Sequence, residues 1–210
     1  MLKICMTGNI CCGKSTVGKI LESMGISVLD SDEVCNQILR CDLDWAIKII
    51  NHFGVEKIVN DNGSIDKQKL SEIVFNNPKE LQILNSMLHP KCYERINYWI
   101  SGHDIRVKIA EITKKSIWKD GLVVQIPLVF ETKQEKNWDK IICIATSKEE
   151  QNKRIVQKFG IKGLKRLNSQ MSLEDKMKLS HFTIMNNGTL DQLKKEVKKV
   201  FKPLMKNKEL

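Results

Sequence analysis

Gly8-Asn9-Ile10-Cys11-Cys12-Gly13-Lys14-Ser15 has the spacing G-x-x-x-x-G-K-[ST], and Thr16 follows it. In this pattern successive backbone N–H groups can wrap a row of phosphates. The lysine can reach the β and γ oxygens, and the hydroxyl can sit on Mg2+. Gly8, Asn9, Ile10, Cys11, Cys12, Gly13, Lys14, Ser15 and Thr16 are therefore the candidate ATP-binding residues, with Ser15 also the candidate metal ligand. The two cysteines stand where such loops usually carry glycine and serine. Main chain does the cradling, so they need only be small, and we read them as bystanders. A thiol at a helix N-terminus beside a lysine ionises more easily, so Cys12 is expected to be the more reactive of the pair. A second constellation, Asp30-Ser31-Asp32, ends an apolar run. A carboxylate there can orient an attacking hydroxyl and take its proton late in phosphoryl transfer. The alternative is that both aspartates cap the helix that follows.

These residues need a strand before the loop and a helix after it. "LKICMTG" is a short apolar run, and "KSTVGKILESMG" has helical spacing of Val17, Ile20, Leu21 and Met24, closed by Gly25. "ISVLDSD", "GLVVQIPLVFE", "WDKIICIATS" and "HFTIMNNG" read as four further strands. Residues 33–119 read as mostly helical, broken by "NDNGSID" and by the His89-Pro90 step. "KEEQNKRIVQKFG", "KGLKRLNSQMSLEDKMKLS" and 189–203 read as helices. Strands separated by helices predict an α/β fold with a parallel sheet covered on both faces. In such a sheet ligands bind beyond the carboxyl ends of the strands, where the loop and the aspartates both fall.

The 210 residues suit one domain. Lys and Arg number 35 against 25 Asp and Glu, a formal charge of +10, which suits a polyanionic small molecule as well as nucleic acid or a membrane surface. Lysines of the C-terminal "LKKEVKKVFKPLMKNKEL" alternate with apolar residues at helical spacing, as on a solvated helix face. Seven cysteines, an odd count without zinc spacing, point to a reducing cytosol and not to a disulfide framework. No apolar run is long enough to span a membrane, and a strand starting beside Met1 leaves no room for a leader peptide.

Taken in order, several motifs resemble the dephospho-CoA kinase family over nearly the whole chain. They are Thr7-Gly8, Gly13-Lys14-Ser15-Thr16, Asp30-Ser31-Asp32, "HFG", "NGSIDKQKLSEIVF", Leu88-His89-Pro90 and Pro127-Leu128-Val129-Phe130-Glu131. Basic residues Arg154, Lys158 and Arg166 follow, then Gln170-Met171 and Asn186-Asn187-Gly188. The resemblance implies a three-layer P-loop NTPase fold with a five-stranded parallel sheet, a helical substrate-binding insertion and a small lid. It implies one domain over 1–210, with a core of about 1–40 and 120–203, an insertion of about 41–119 and a lid of about 150–170.

The implied reaction is transfer of the ATP γ-phosphate to the ribose 3′-hydroxyl of dephospho-CoA, the last step of CoA synthesis. Asp32 would be the base, with Lys14 and Arg154 as the other catalytic residues. Thr7, Asp32 and His89 would bind substrate, although His89 can equally be a structural helix break. Glu131 shapes the site or caps a strand end, while His52, His103 and His181 read as surface or packing residues. The implied partners are ATP with Mg2+ and dephospho-CoA, with no nucleic acid and no membrane, in a cytoplasmic monomer or weak homo-oligomer.

The chain departs from the family pattern at Asn9, Cys11 and Cys12, at Asn36 for His or Arg, at Lys158 for Arg and at Gln125 for Asp. The segment 101–121 is longer than the usual connection. If position 11 requires a positive φ, cysteine there costs on the order of 1–2 kcal/mol. Another small-metabolite kinase, such as a nucleoside monophosphate or shikimate kinase, would differ in its acceptor. A nucleic-acid binder lacks an aromatic-basic motif here, and a GTP switch lacks Asn-Lys-x-Asp.

Overall fold

The computed structural model describes residues 2–113 and 121–204. In chain order the elements are β1 (Leu2–Thr7), α1 (Lys14–Ser23), β2 (Ser27–Asp30), α2 (Ser31–Cys41), α3 (Leu43–Phe53), α4 (Val55–Ile58), α5 (Lys67–Asn76) and α6 (Pro78–Thr113). There follow β3 (Gly121–Gln125), β4 (Lys140–Ala145), α7 (Lys148–Phe159), α8 (Leu173–Leu179), β5 (Phe182–Met185) and α9 (Leu190–Leu204). They form two compact units, one of residues 1–30 with 100–210 and one of Ser31–Trp99.

The first unit is built on the five-stranded sheet, every neighbouring pair parallel, in the order β2-β3-β1-β4-β5. Its strands are short and apolar, and all five residues of β3 are buried. Successive side chains alternate between faces. Ile4, Met6, Val123, Ile142, Ile144 and Ile184 meet Val17, Ile20 and Leu21 of α1 and Leu193, Val197 and Phe201 of α9. The lysines of α9 lie on its outer side: Lys194, Lys195, Lys198 and Lys199 are exposed. On the other face α8 packs against β4, and its Lys176 charge is felt by the buried Cys5 and Cys143 thiols. Gly25, at φ +79, turns the chain from α1 into β2.

The second unit is helical. Its apolar residues include Val34, Ile38, Ile49, Phe53, Ile58, Leu70 and Val74, all buried. The "NDNGSID" segment makes a tight turn with Gly63 at φ +79, and a single antiparallel bridge joins Val59 to Ile65. Asp66 then caps α5, accepting from Gln68 N–H at 2.9 Å and Lys69 N–H at 3.1 Å.

Two expectations are corrected. The His89-Pro90 step does not break the helix: α6 continues through Pro90 for 36 residues. Leu84, Leu88, Cys92 and Ile96 recur every fourth residue and are all buried, so one packed face spans the proline and outweighs the one lost hydrogen bond. The stretch read as helical from 162 is a 3₁₀ turn at Ile161–Ser169, then extended backbone at Gln170, then α8. Gly160, at φ +69, ends α7, and Ser172 restarts the helix by accepting from Asp175 N–H at 3.1 Å. Part of the long 101–121 segment belongs to α6, and 114–120 lies outside the described residues.

Candidate active site

The loop 8–13 leaves the carboxyl end of β1 and enters α1 at Lys14. Gly8, at φ +138, lies so close to β4 that a Cβ would collide with the Ile144 carbonyl oxygen. Gly13, at φ +99, is crossed by the Asn186 carboxamide where a Cβ would stand. Between them Cys11 takes φ +62, so a cysteine does occupy the left-handed region. That geometry costs on the order of 1–2 kcal/mol and persists where neighbouring bonds over-determine it.

Those bonds come from beyond β5, from α7, from the segment before α8 and from the loop itself. Asn186, just past β5, donates from Nδ2 to the Cys12 carbonyl at 2.9 Å. Gln151 of α7 donates to the Ile10 carbonyl at 2.8 Å, and Ile10 N–H donates to Gln170 Oε1 at 3.0 Å. Asn9 Nδ2 donates to the Met171 carbonyl at 3.1 Å. The loop is thus shaped by four side chains, three of them far along the chain.

Two cations stand at this loop. The Lys14 ammonium donates to the Gly8 and Asn9 carbonyls at 2.8 and 3.1 Å. Arg154 is held by Glu150 at 2.9 Å and by the Asn186 carbonyl at 3.0 Å, and its Nη1 lies 4.0 Å from the position of a Gly13 Cβ. Ser15 and Thr16 are exposed on the first turn of α1. Lys158 and Arg166 instead lie over the Phe159 ring, at 5.3 and 4.4 Å from its centre.

Below the loop, Thr7 is fully buried and donates from Oγ1 to the Pro127 carbonyl at 3.2 Å. The same carbonyl accepts from Lys176 Nζ at 2.5 Å. Lys176 pairs with Glu131 at 2.8 Å, and Glu131 also accepts from Met171 N–H at 2.8 Å. Glu131 therefore ties the segment after β3 to Met171 and to Lys176 of α8. Asp30 ends β2 opposite Gln125, and Gln125 in turn faces Met6. The Gln125 amide nitrogen sits 2.5 Å from the position of a Gly18 Cβ. Its oxygen is buried with no hydrogen-bond partner among the described residues.

Thr7, the loop residues 8–16 and Arg154 come together in the sheet unit. Asp32 and His89 belong to the helical unit. Asp32 is exposed on the first turn of α2, where a carboxylate suits the helix dipole. His89 is half-buried within α6, and burial lowers its pKa.

The expected reactivity of Cys12 is overturned. Its thiol is 0 % exposed and burial raises its pKa, outweighing the Lys14 and Arg154 charges. The helix-end argument neglected desolvation, which disfavours the charged thiolate. Cys11 is the more accessible thiol of the pair.

A family model for dephospho-CoA kinases matches residues 2–192. The chain belongs to the dephospho-CoA kinase family. It is 36% identical over 195 residues to the dephospho-CoA kinase of Carboxydothermus hydrogenoformans, covering 91% of this chain and 89% of that one. A dephospho-CoA kinase of Listeria innocua is 30% identical, with 97% of each chain covered. Among solved structures, the dephospho-CoA kinase of Campylobacter jejuni superposes with a TM-score of 0.64 at 31% identity, covering 97% of both chains. A Thermus thermophilus protein superposes with a TM-score of 0.70 at 26% identity, again over 97% of both.

The dephospho-CoA kinase motifs thus acquire physical tasks in this chain: Gln170-Met171 holds the loop, Asn186 crosses Gly13, and Glu131 anchors Met171. Sequence reasoning missed Gln151 and Lys176. Gln151 lies three residues before Arg154 on α7 and so shares its face, a signal that could have been used. Lys176 gave no such signal, because nothing in a lysine's type announces complete burial.

Proposed function

We propose that this chain binds ATP on residues 8–16 and transfers its γ-phosphoryl group to the ribose 3′-hydroxyl of dephospho-CoA, yielding CoA and ADP. The observation that carries this reading is the loop itself. Left-handed Cys11 and Gly13 turn its peptides into a nest at the N-terminus of α1, with Lys14 and Arg154 beside it. A loose phosphoryl-transfer transition state needs positioning and charge stabilisation, and the two cations supply charge. Asp32 orients the acceptor hydroxyl and takes its proton, while Thr7 and His89 serve the substrate side.

Mg2+ suits the oxygen donors present. The exposed Ser15 hydroxyl opens α1, and Gln125, whose oxygen has no hydrogen-bond partner among the described residues, lies with its amide nitrogen against Gly18, one turn along α1 from Ser15. No cluster of three His, Cys, Asp or Glu side chains forms a cage among the described residues. This is the usual arrangement for a Mg2+ ion held largely by substrate phosphates, where it neutralises their charge. The reading places the enzyme in a reducing cytoplasm, as a monomer or weak homo-oligomer that acts on small molecules and not on nucleic acid. No disulfide joins its seven cysteines, and no described helix is long and apolar enough to cross a membrane.

The test is a coupled assay of ADP release with dephospho-CoA, shikimate or a nucleoside monophosphate as acceptor. Turnover should require dephospho-CoA and Mg2+. Lys14→Ala should lower it by roughly 10²–10³, and Asp32→Asn by about 10²–10⁴ with ATP affinity retained. Turnover with another acceptor alone would replace the substrate. Loss of ATP affinity in Asp32→Asn with chemistry intact would move the base elsewhere.

A further inference from the structure

Both backbone polar groups of Ile10 are held by glutamines from one distant segment. Gln170 Oε1 accepts from Ile10 N–H at 3.0 Å, and Gln151 Nε2 donates to the Ile10 carbonyl at 2.8 Å. Gln151 lies on the first turn of α7 and Gln170 follows the 3₁₀ turn Ile161–Ser169. The two therefore mark the ends of the segment 151–170 that carries Arg154, Lys158 and Arg166. That segment is tied at both ends to a single residue of the loop.

The carbonyl that Gln151 holds belongs to the peptide joining Ile10 to Cys11, whose φ is +62. Fixing that peptide plane limits the rotation that would let Cys11 relax to a negative φ. The Gln151 Nε2 group also lies 3.5 Å from Cys12 Sγ, so the same amide touches the residues on either side of Cys11. Gln151 is buried, which makes its bonds costly to exchange for water.

We propose that Gln151 and Gln170 are positioning residues for ATP. By gripping the two peptides that flank Ile10 they hold Cys11 left-handed and keep the loop N–H groups set before nucleotide arrives. They also couple the loop to the segment bearing Arg154. The proposal rests on residues 8–16 being the ATP site. A preshaped loop spends less binding energy on ordering, so the grip acts on affinity and not on the chemical step.

The experiment measures ATP affinity by calorimetry, KM and kcat by the coupled assay, and Tm. The variants are Gln151→Met, Gln170→Met and their double, each with Cys11 and with Cys11→Gly; methionine keeps length while removing the amide. Each single variant should weaken ATP binding and raise its KM by about tenfold, the effect of one buried hydrogen bond. kcat should change by less than about twofold. The double should fall short of the product of the singles, because both act on one residue, Ile10. Glycine tolerates a positive φ, so Cys11→Gly should restore a large part of the affinity lost in Gln151→Met.

Unchanged ATP affinity in both folded single variants would overturn the proposal. So would an equal loss from Gln151→Met in both backgrounds, as expected if Gln151 only packs. Gln170 is half-buried, so its variant keeps the test alive if Gln151→Met unfolds. Lys14→Ala separates the two levels. Normal turnover together with normal ATP affinity in that variant would defeat the site assignment itself, whereas a loss of either there beside intact binding in the glutamine variants defeats this inference alone.

Discussion

The Cys12 thiol is held above the ordinary thiol value by burial, against the opposing pull of Lys14 and Arg154, while its neighbour Cys11 is half-buried at a strained φ. A thiol kept protonated and out of solvent reacts slowly with an alkylating reagent. Among these two thiols and the exposed Cys41, mass-spectrometric mapping after brief alkylation at neutral pH should therefore find Cys41 modified first, then Cys11, then Cys12. Bound MgATP should protect Cys11 and leave Cys41 unchanged. Cys12→Ser should keep most turnover, since the loop acts through its main chain. Early modification of Cys12 would show that the loop opens far more than its hydrogen bonds allow.

At the scale of elements, the sheet and loop depend on contacts with no tolerance for added atoms. Gly8→Ala combines an unfavourable φ with a collision against the Ile144 main chain. Backbone cannot step aside as a side chain can, so urea unfolding should show a loss of about 3 kcal/mol or more. Lys176→Met removes the cation facing Glu131 and strands a largely buried carboxylate, for an expected loss of about 3 kcal/mol. Adding Glu131→Gln should recover part of it.

These cases show what the sequence could and could not disclose. The five strands and α1 were legible because apolar runs bounded by glycine, and the 3.6-residue spacing of Val17, Ile20 and Leu21, arise from burial common to all such sheets. The loop was legible because its G-x-x-x-x-G-K-[ST] spacing between a strand and a helix singles out Gly13, Lys14 and Ser15 by type. Continuity of α6 across Pro90 was not, because the compensating face at Leu84, Leu88, Cys92 and Ile96 becomes decisive only once packed. Nor were the partners of Ile10 and Glu131, which lie 141, 160 and 40 residues away. Desolvation of Cys12 was hidden for the same reason.

For the molecule as a whole, His89 in one unit and His103 in the other both have pKa values lowered below 6.5, chiefly by burial, with Arg106 adding to the effect at His103. The unfolded chain therefore binds protons that the folded chain refuses. This contribution is fully present above pH 6.5 and is lost as pH falls through the depressed folded values. Tm should fall with pH below that point, and His89→Gln and His103→Gln should each flatten the slope. An unchanged slope in both would assign the acid sensitivity to other groups. The Lys176 side chain, 0 % exposed while most other lysines among the described residues face water, has a further use. An amine-acylating reagent reaches it only when α8 detaches from the sheet, so its rate of acylation clocks that opening. The surface lysines supply an internal reference for reagent strength. The protein carries its own chemical stopwatch for the step that frees Glu131 and Met171, readable by peptide mapping without any introduced label.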